Sequence, residues 1–254
     1  MILTVLGSGT SVPHPRRSSS AYWLETASGT VLLDCSPSAI QQMAELRLDW
    51  AGLDAIWISH FHLDHFGGLA PYLFGIKHAA ETRDRTSPLR IFGGRGLDAL
   101  IRGIDAAGGY RLLEQRFAIE IVEVDELEPF VILPGVEAVA KKTPHTDASH
   151  AIHIRVGEAT MVFTADTGFD ASITGLAGGV GLFVLECSFI RDKPVELHLE
   201  LAEAMHLIRR AAPRRAMLTH FYPEWDEIDF AEAVAAFDPP CEVAEAFDGL
   251  RIEF

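Results

Sequence analysis

The stretch Ser59-His60-Phe61-His62-Leu63-Asp64-His65-Phe66-Gly67-Gly68-Leu69 constrains this chain most, because it sets three imidazoles and one carboxylate within six positions, directly after an apolar run. That run, Ala55-Ile56-Trp57-Ile58-Ser59, is β-branched and aromatic enough for a buried strand, so the cluster falls where a strand ends and turns. Side chains alternate along an extended backbone, so His60 and His62 point the same way and can share a metal ion. Asp64 and His65, past the bend, can reach a second ion, and Gly67-Gly68 lets the chain turn tightly beside them. Any one of the four could be a surface residue on a turn or a satisfied core residue. Four ligand types together at a strand end read as a binuclear metal site.

The same pattern recurs along the chain. Met1 to Leu6 is a first strand ending in Gly7-Ser8-Gly9-Thr10, a tight turn without the third glycine or the Lys-Ser/Thr of a phosphate loop. A hairpin over 22–34 ends at Asp34, and helices are expected over 38–48, 69–80, 97–107 and 199–211. The helix over 38–48 has Ser36 or Ser38 as its cap. Val136 to Ala140 delivers His145, a hairpin over 152–164 delivers Asp166, Leu182 to Leu185 delivers Glu186, and Ala216 to Leu218 delivers His220. Open α/β sheets place their chemistry at strand ends, so these residues can converge although they are distant in sequence. His14, His78, His150, His153 and His206 lack such a setting, and Tyr222 could reach the pocket, although an aromatic there is more often packing.

A chain of 254 residues with 48% hydrophobic content can bury a full core, and residues 1–254 are expected to form a single α/β domain. The net charge of −15 repels polyanions, and basic residues come only in isolated pairs such as Arg16-Arg17, so long nucleic acid is a poor partner. Cys35, Cys187 and Cys241 are odd in number and widely spread, which fits neither a disulfide framework nor a zinc ribbon. With no signal-peptide pattern at the N-terminus and no apolar run of membrane length, a cytoplasmic protein without a membrane is expected.

With these residues in place, the chain resembles the metallo-β-lactamase superfamily over essentially its whole length, and within it the ribonuclease Z-like branch. The H-x-H-x-D-H signature stands as His60, His62, Asp64 and His65. Asp34 matches the acidic residue of the first motif, His145 the third-motif histidine, Asp166 the bridging aspartate and His220 the last histidine ligand. Glu186-Cys187-Ser188-Phe189 and His198 resemble the branch's Glu-Ala-Thr-Phe segment and the histidine that begins the following helix. Cys35-Ser36-Pro37 and Leu199-Glu200 depart from the branch's usual residues. The long arm by which tRNA-processing members hold tRNA would lie between His145 and Asp166, where this chain has one short hairpin.

The resemblance implies a four-layer αββα sandwich and a hydrolase with two divalent ions, zinc best suited to the ligands, with manganese or iron as competitors. His60, His62 and His145 would hold one ion, Asp64, His65 and His220 the other, and Asp166 would bridge them. A water shared by ions about 3.5–4 Å apart would be the nucleophile. Asp64, Glu186 and His198 form the catalytic set, with Glu186 orienting His198 to protonate the leaving group. Asp34 would accept a hydrogen bond from a ligand imidazole and fix its tautomer. Having His62 where oxygen-reducing members carry an acid favours hydrolysis over redox. The expected substrate is a small or cyclic phosphodiester, with specificity in loops such as 13–20 and 82–87. The alternatives are a sulfate ester, lactone or thioester, tRNA 3′ processing, and a metal-binding carrier or regulatory protein without turnover. Family members often pair, so a homodimer is part of what the resemblance implies.

Overall fold

Apolar residues alternate along the strands in a way that gives the sheets two buried faces. In the computed structural model, which describes residues 1–254, Leu3, Val5, Tyr22, Leu24, Val31, Leu33, Ala55 and Trp57 join one core, while Leu6, Ala21, Trp23, Leu32, Ile56 and Ile58 join another. The strands that carry them are β1 (Ile2–Gly7), β2 (Ala21–Thr26), β3 (Gly29–Leu33), β4 (Ala55–Ile58), β5 (Leu89–Gly93) and β6 (Ile119–Glu123). A second series follows: β7 (Pro129–Leu133), β8 (Val136–Lys142), β9 (His150–Val156), β10 (Ala159–Phe163), β11 (Leu182–Glu186), β12 (Arg215–Thr219) and β13 (Glu242–Glu245). Finally β14 (Arg251–Glu253) returns to the first series.

The two sheets have seven strands each, in the orders β14-β1-β2-β3-β4-β5-β6 and β13-β12-β11-β10-β9-β8-β7. Each runs antiparallel to its centre, at β3 or β10, and parallel beyond it. Aromatic pairs seal the space between the sheets, Tyr22 against Phe163 at 5.0 Å and Trp57 stacked on Phe130 at 5.9 Å. Helices α1 (Ala39–Glu45), α3 (Leu69–His78) and α4 (Leu97–Gly108) cover the outer face of the first sheet, with α2 (Leu63–Phe66) between them in the chain. The second sheet is covered by α5 (Ile173–Ala177) and α6 (Leu201–Ala211), and α7 (Phe230–Ala235) lies near the C-terminus. The result is an α/β sandwich of the metallo-β-lactamase type. No helix is long and apolar enough to cross a membrane.

Parallel pairing of β3 with β4 and of β10, β11 and β12 brings their C-terminal ends into line, and the sequence after each end carries a titratable side chain. The turn after β1 serves the same edge. Asp248 Oδ1 accepts from the backbone N–H and hydroxyl of Ser8 at 3.0 and 2.9 Å, while its Oδ2 accepts from Ser18 N–H at 2.7 Å. The Ser8 carbonyl in turn accepts from Phe221 N–H at 3.0 Å, which fixes the 8–20 loop beside His220.

Several boundaries differ from the sequence reading. Helix α1 stops at Glu45, with Arg47 in left-handed backbone at φ 55, and no hydroxyl caps it. Ser38 holds the cap position without a side-chain bond, and Ser36 Oγ donates instead to the Ser19 carbonyl at 2.9 Å. Helix α6 starts at Leu201, two residues late, because Leu199 N–H is drawn to Glu186 at 3.1 Å and Glu200 with Glu203 forms a capping box. His198 therefore lies before the helix and does not begin it. The 82–87 segment sits at the opposite end of the first sheet from the metal-ligand cluster. There Arg85 donates to the carbonyls of Ala51 and Leu53, both at 2.8 Å, just ahead of β4, so this loop does not border the cluster that follows β4.

Candidate metal centre

Asp34 leaves β3 through left-handed backbone (φ 60), as Ala165 does after β10 (φ 50) and His220 after β12 (φ 60). Such conformations cost roughly 1–3 kcal/mol each and persist where surrounding structure holds them. At Asp34 the holding contacts are visible. Its buried carboxylate accepts from Ser59 N–H at 2.8 Å, Ser59 Oγ at 2.9 Å and His65 Nδ1 at 2.7 Å. With its own proton given to Asp34, the Ser59 hydroxyl is left to accept from His60 Nδ1 at 3.0 Å. Both imidazoles are thereby set to present a bare Nε2.

The same device operates across the site. His145 Nδ1 donates to the Leu197 carbonyl at 2.8 Å. His220 Nδ1 lies 3.0 Å from Ser188 Oγ, whose proton goes to Glu186 Oε2 at 2.7 Å. At the centre is Asp166. One oxygen, Oδ1, faces His65 Nε2 at 3.2 Å and His220 Nε2 at 3.3 Å, and the other, Oδ2, faces His145 Nε2 at 3.6 Å and His60 Nε2 at 3.8 Å. Asp64 Oδ2 lies 3.6 Å from both His65 Nε2 and His220 Nε2, and the exposed His62 brings Nδ1 to 3.0 Å from His145 Nε2.

Two groups of donor atoms result, His60, His62, His145 and Asp166 in one, and Asp64, His65, Asp166 and His220 in the other. Within them His60 Nε2, His65 Nε2, Asp166 Oδ1 and His220 Nε2 are buried without a hydrogen-bond partner. Buried polar atoms are rarely left so, and these four, His60 in the first group and the other three in the second, call for occupants in both. An all-nitrogen-and-oxygen set of imidazoles and carboxylates suits a divalent cation. Electrostatics agree. Burial pushes His60 down to about 2, helped by the neighbouring His65, which keeps it a neutral donor. Burial works against the charge on Asp166, but His220 and His65 hold its carboxyl well below the usual range. Burial opposes a proton on His65, while Asp166 and Asp34 push its imidazole up, so a proton and a cation would compete for Nε2.

Beside this lies a third cluster. Glu186, buried at the end of β11, receives His198 Nδ1 at 2.9 Å and Thr167 N–H at 2.7 Å on Oε1, and Ser188 Oγ and Leu199 N–H on Oε2. Burial disfavours charge on His198, but Glu186 overrides it and pushes the imidazole up to about 9. The His198 ring stacks on that of His220 at 5.5 Å with an 18° tilt.

Every residue singled out from the sequence, Asp34, His60, His62, Asp64, His65, His145, Asp166, Glu186, His198 and His220, is brought into this one network. His150 stays outside it, with Nδ1 donating to the Ala148 carbonyl at 2.8 Å. Ser59 and Ser188 were missed. Each is a hydroxyl between a strand-end carboxylate and a ligand imidazole, and the only signal was a serine directly before His60 and another two residues after Glu186.

Residues 29–221 match the family model described as the beta-lactamase superfamily domain. A ribonuclease Z from Mycobacterium sp. (strain KMS) is 29% identical over 269 residues, spanning 96% of this chain and 93% of the relative. Among solved structures, the metallo-beta-lactamase fold protein YhfI from Bacillus subtilis superposes with a TM-score of 0.82 at 22% identity, covering 100% of this chain and 99% of that one. The short form of human tRNase Z superposes with a TM-score of 0.79 at 21% identity, with 100% and 99% coverage.

Proposed function

The chain is a metal-dependent hydrolase of the metallo-β-lactamase superfamily, ribonuclease Z-like in sequence, and from that premise we propose that it cleaves a small or cyclic phosphodiester. In this reading His60, His62 and His145 would hold one divalent ion and Asp64, His65 and His220 a second, with Asp166 shared between them and zinc the best match to the donor set. Bound ions would supply Lewis acidity and a water ionised near neutral pH. The chain's own residues supply the rest. Asp34, Ser59, Ser188 and the Leu197 carbonyl hold the imidazoles in the tautomer that exposes Nε2. His198, with Nδ1 tied to Glu186, keeps Nε2 free to give a proton to the departing oxygen.

The observation that carries this reading is the meeting of unpartnered Nε2 atoms with Asp166 next to an imidazole hydrogen-bonded at 2.9 Å to a buried glutamate. The ribonuclease Z names of the relatives support phosphodiester chemistry. The direct β9–β10 hairpin between His145 and Asp166, turning at Gly157-Glu158, and the net charge of −15 support a small substrate over tRNA. The test is a panel of bis(p-nitrophenyl) phosphate, an aryl sulfate, a lactone and a precursor tRNA on metal-loaded protein. Phosphodiester turnover should dominate and should fall by about 10²–10⁴ in His198→Ala at unchanged metal content. Preference for the sulfate, the lactone or the tRNA would refute the reading.

A further inference from the structure

A departing oxygen protonated by His198 must lie against its free Nε2, so the side chains around that ring decide what kind of leaving group can be accommodated. His220 closes one face by stacking. The His145 ring lies 4.8 Å away on another side, and the other rings beside His198 are those of Tyr222 and Phe189. The half-buried Tyr222 ring stands edge-on to His198 at 6.3 Å and stacks on Phe189 at 4.8 Å with a 20° tilt, and Phe189 is itself 6.2 Å from His198. Leu197, next in the chain, has its carbonyl fixed on His145 while the residue stays 49% exposed.

Further exposed apolar side chains adjoin the ligand segments. Phe169, 43% exposed, follows Gly168, whose N–H donates to the Pro144 carbonyl at 3.0 Å and whose Cα sits so close to the Glu196 carbonyl that a methyl group would fall 2.3 Å from it. This ties Phe169 to the segments carrying His145 and Leu197. Leu63, 74% exposed, directly follows His62. Three cations on the flanking loops, Lys193, Arg16 and Arg17, are paired with carboxylates. Lys193, its side chain 8% exposed, donates to both Glu203 oxygens at 2.8 and 2.9 Å, to the His198 carbonyl at 3.1 Å, and lies 3.1 Å from Glu196. Arg16 and Arg17 both end on Asp226.

A leaving group that carries charge at the end far from phosphorus loses hydration against these side chains, whereas an aryl or alkyl group gains burial and ring contacts. Resting on the reading that His198 serves a phosphodiesterase, we propose that the leaving group is an uncharged, apolar alcohol or phenol, selected by Tyr222 and Leu197. In the step concerned, a water oxygen bonds to phosphorus and the P–O bond to the leaving group breaks. The leaving oxygen takes the His198 Nε2 proton, which is replaced by the proton that the attacking water loses, so the products are a phosphomonoester and a neutral alcohol.

The test uses two diesters that differ by one methyl group and the charge it masks, methyl 4-(methoxycarbonyl)phenyl phosphate and methyl 4-carboxyphenyl phosphate, on metal-loaded protein, with each kcat/KM divided by the uncatalysed rate. The neutral leaving group should be favoured by about tenfold, the scale of discrimination by an apolar pocket. Leu197→Lys, at an exposed position, should bring the ratio toward one by raising the carboxylate diester. Tyr222→Ala should lower kcat/KM for the neutral diester by about tenfold, mainly through KM, at unchanged metal content. Equal kcat/KM for the two diesters in the unmodified enzyme, or a ratio that neither variant moves, would overturn the proposal alone. Hydrolysis of neither diester would overturn the phosphodiesterase reading and this proposal with it.

Discussion

Asparagine at position 34 probes whether one strand-end carboxylate prepares the imidazoles for metal. Asp34 is fully buried and accepts three hydrogen bonds, two from Ser59 and one from His65 Nδ1. Asparagine has the same shape and tolerates the left-handed backbone at φ 60 as aspartate does, so the strand exit is preserved. Its carbonyl can replace one carboxylate oxygen, but its amide then meets a donor, either Ser59 N–H or the Ser59 and His65 pair. A hydrogen bond to a charged group contributes about 1.5–3 kcal/mol, and leaving its buried partner unmatched adds to the loss, so the metal-free variant should be destabilised by about 2–4 kcal/mol. For a chain this long that lowers Tm by about 4–8 °C. The larger consequence falls on metal affinity. Loss of an outer carboxylate that orients a ligand imidazole costs about 10–100-fold, so metal should stabilise the variant less than the unmodified chain by about 1.4–2.7 kcal/mol. Chelator competition measures the affinity directly, and thermal unfolding with and without metal measures the linkage. A metal affinity within about threefold of the unmodified protein, well short of that 10–100-fold span, would refute the role given to Asp34.

Three further outcomes follow from the same contacts. In metal-free protein the His198 ring should titrate near 9, because Glu186 outweighs burial. Its folded value lies above the ordinary 6.5, so the pair stabilises the fold fully below about 6.5 and that contribution is lost as pH rises through about 9. NMR titration should show this midpoint falling in Glu186→Gln, and a midpoint near the ordinary value in both proteins would contradict it. Gly7→Ala should lose about 1–3 kcal/mol in denaturant unfolding, because the added methyl would sit 1.9 Å from the Ser19 carbonyl; unchanged stability would show that the 8–20 loop yields freely. Phe163→Ala, at a fully buried ring packed on Tyr22 between the sheets, should cost about 3–5 kcal/mol, and a loss below about 1 kcal/mol would argue against a tight seam there.

How far the site can be read without coordinates depends on how local each signal is. His60 to His65 is legible because Ala55 to Ile58 announces a buried strand and the ligands follow at once. Asp166, Glu186 and His220 are legible for the same reason, each following its own apolar run. Helix α2, four residues long, is too short to show a period, so Asp64 and His65 looked like a bend where the chain makes one helical turn. The start of α6 was misjudged because its cap is Glu200, outside the usual Ser, Thr, Asp and Asn group. Ser59 and Ser188 escaped because their partners come from elsewhere. Asp34 precedes Ser59 by 25 residues, and His220 follows Ser188 by 32, so only the assembled strand ends make relays of them. The placing of 82–87 was readable in principle. It leads from α3 into β5, and loops entering parallel strands lie at the end opposite to those leaving them.

The central claim is that one aspartate joins two ion sites into a hydrolytic centre. Zinc titration of the metal-free chain, with bis(p-nitrophenyl) phosphate hydrolysis followed at each point, tests it most directly. Two equivalents per chain should bind, with turnover appearing as the pair fills, and Asp166→Ala should lose both tight binding and turnover. A single equivalent, or full turnover in Asp166→Ala, would contradict the account.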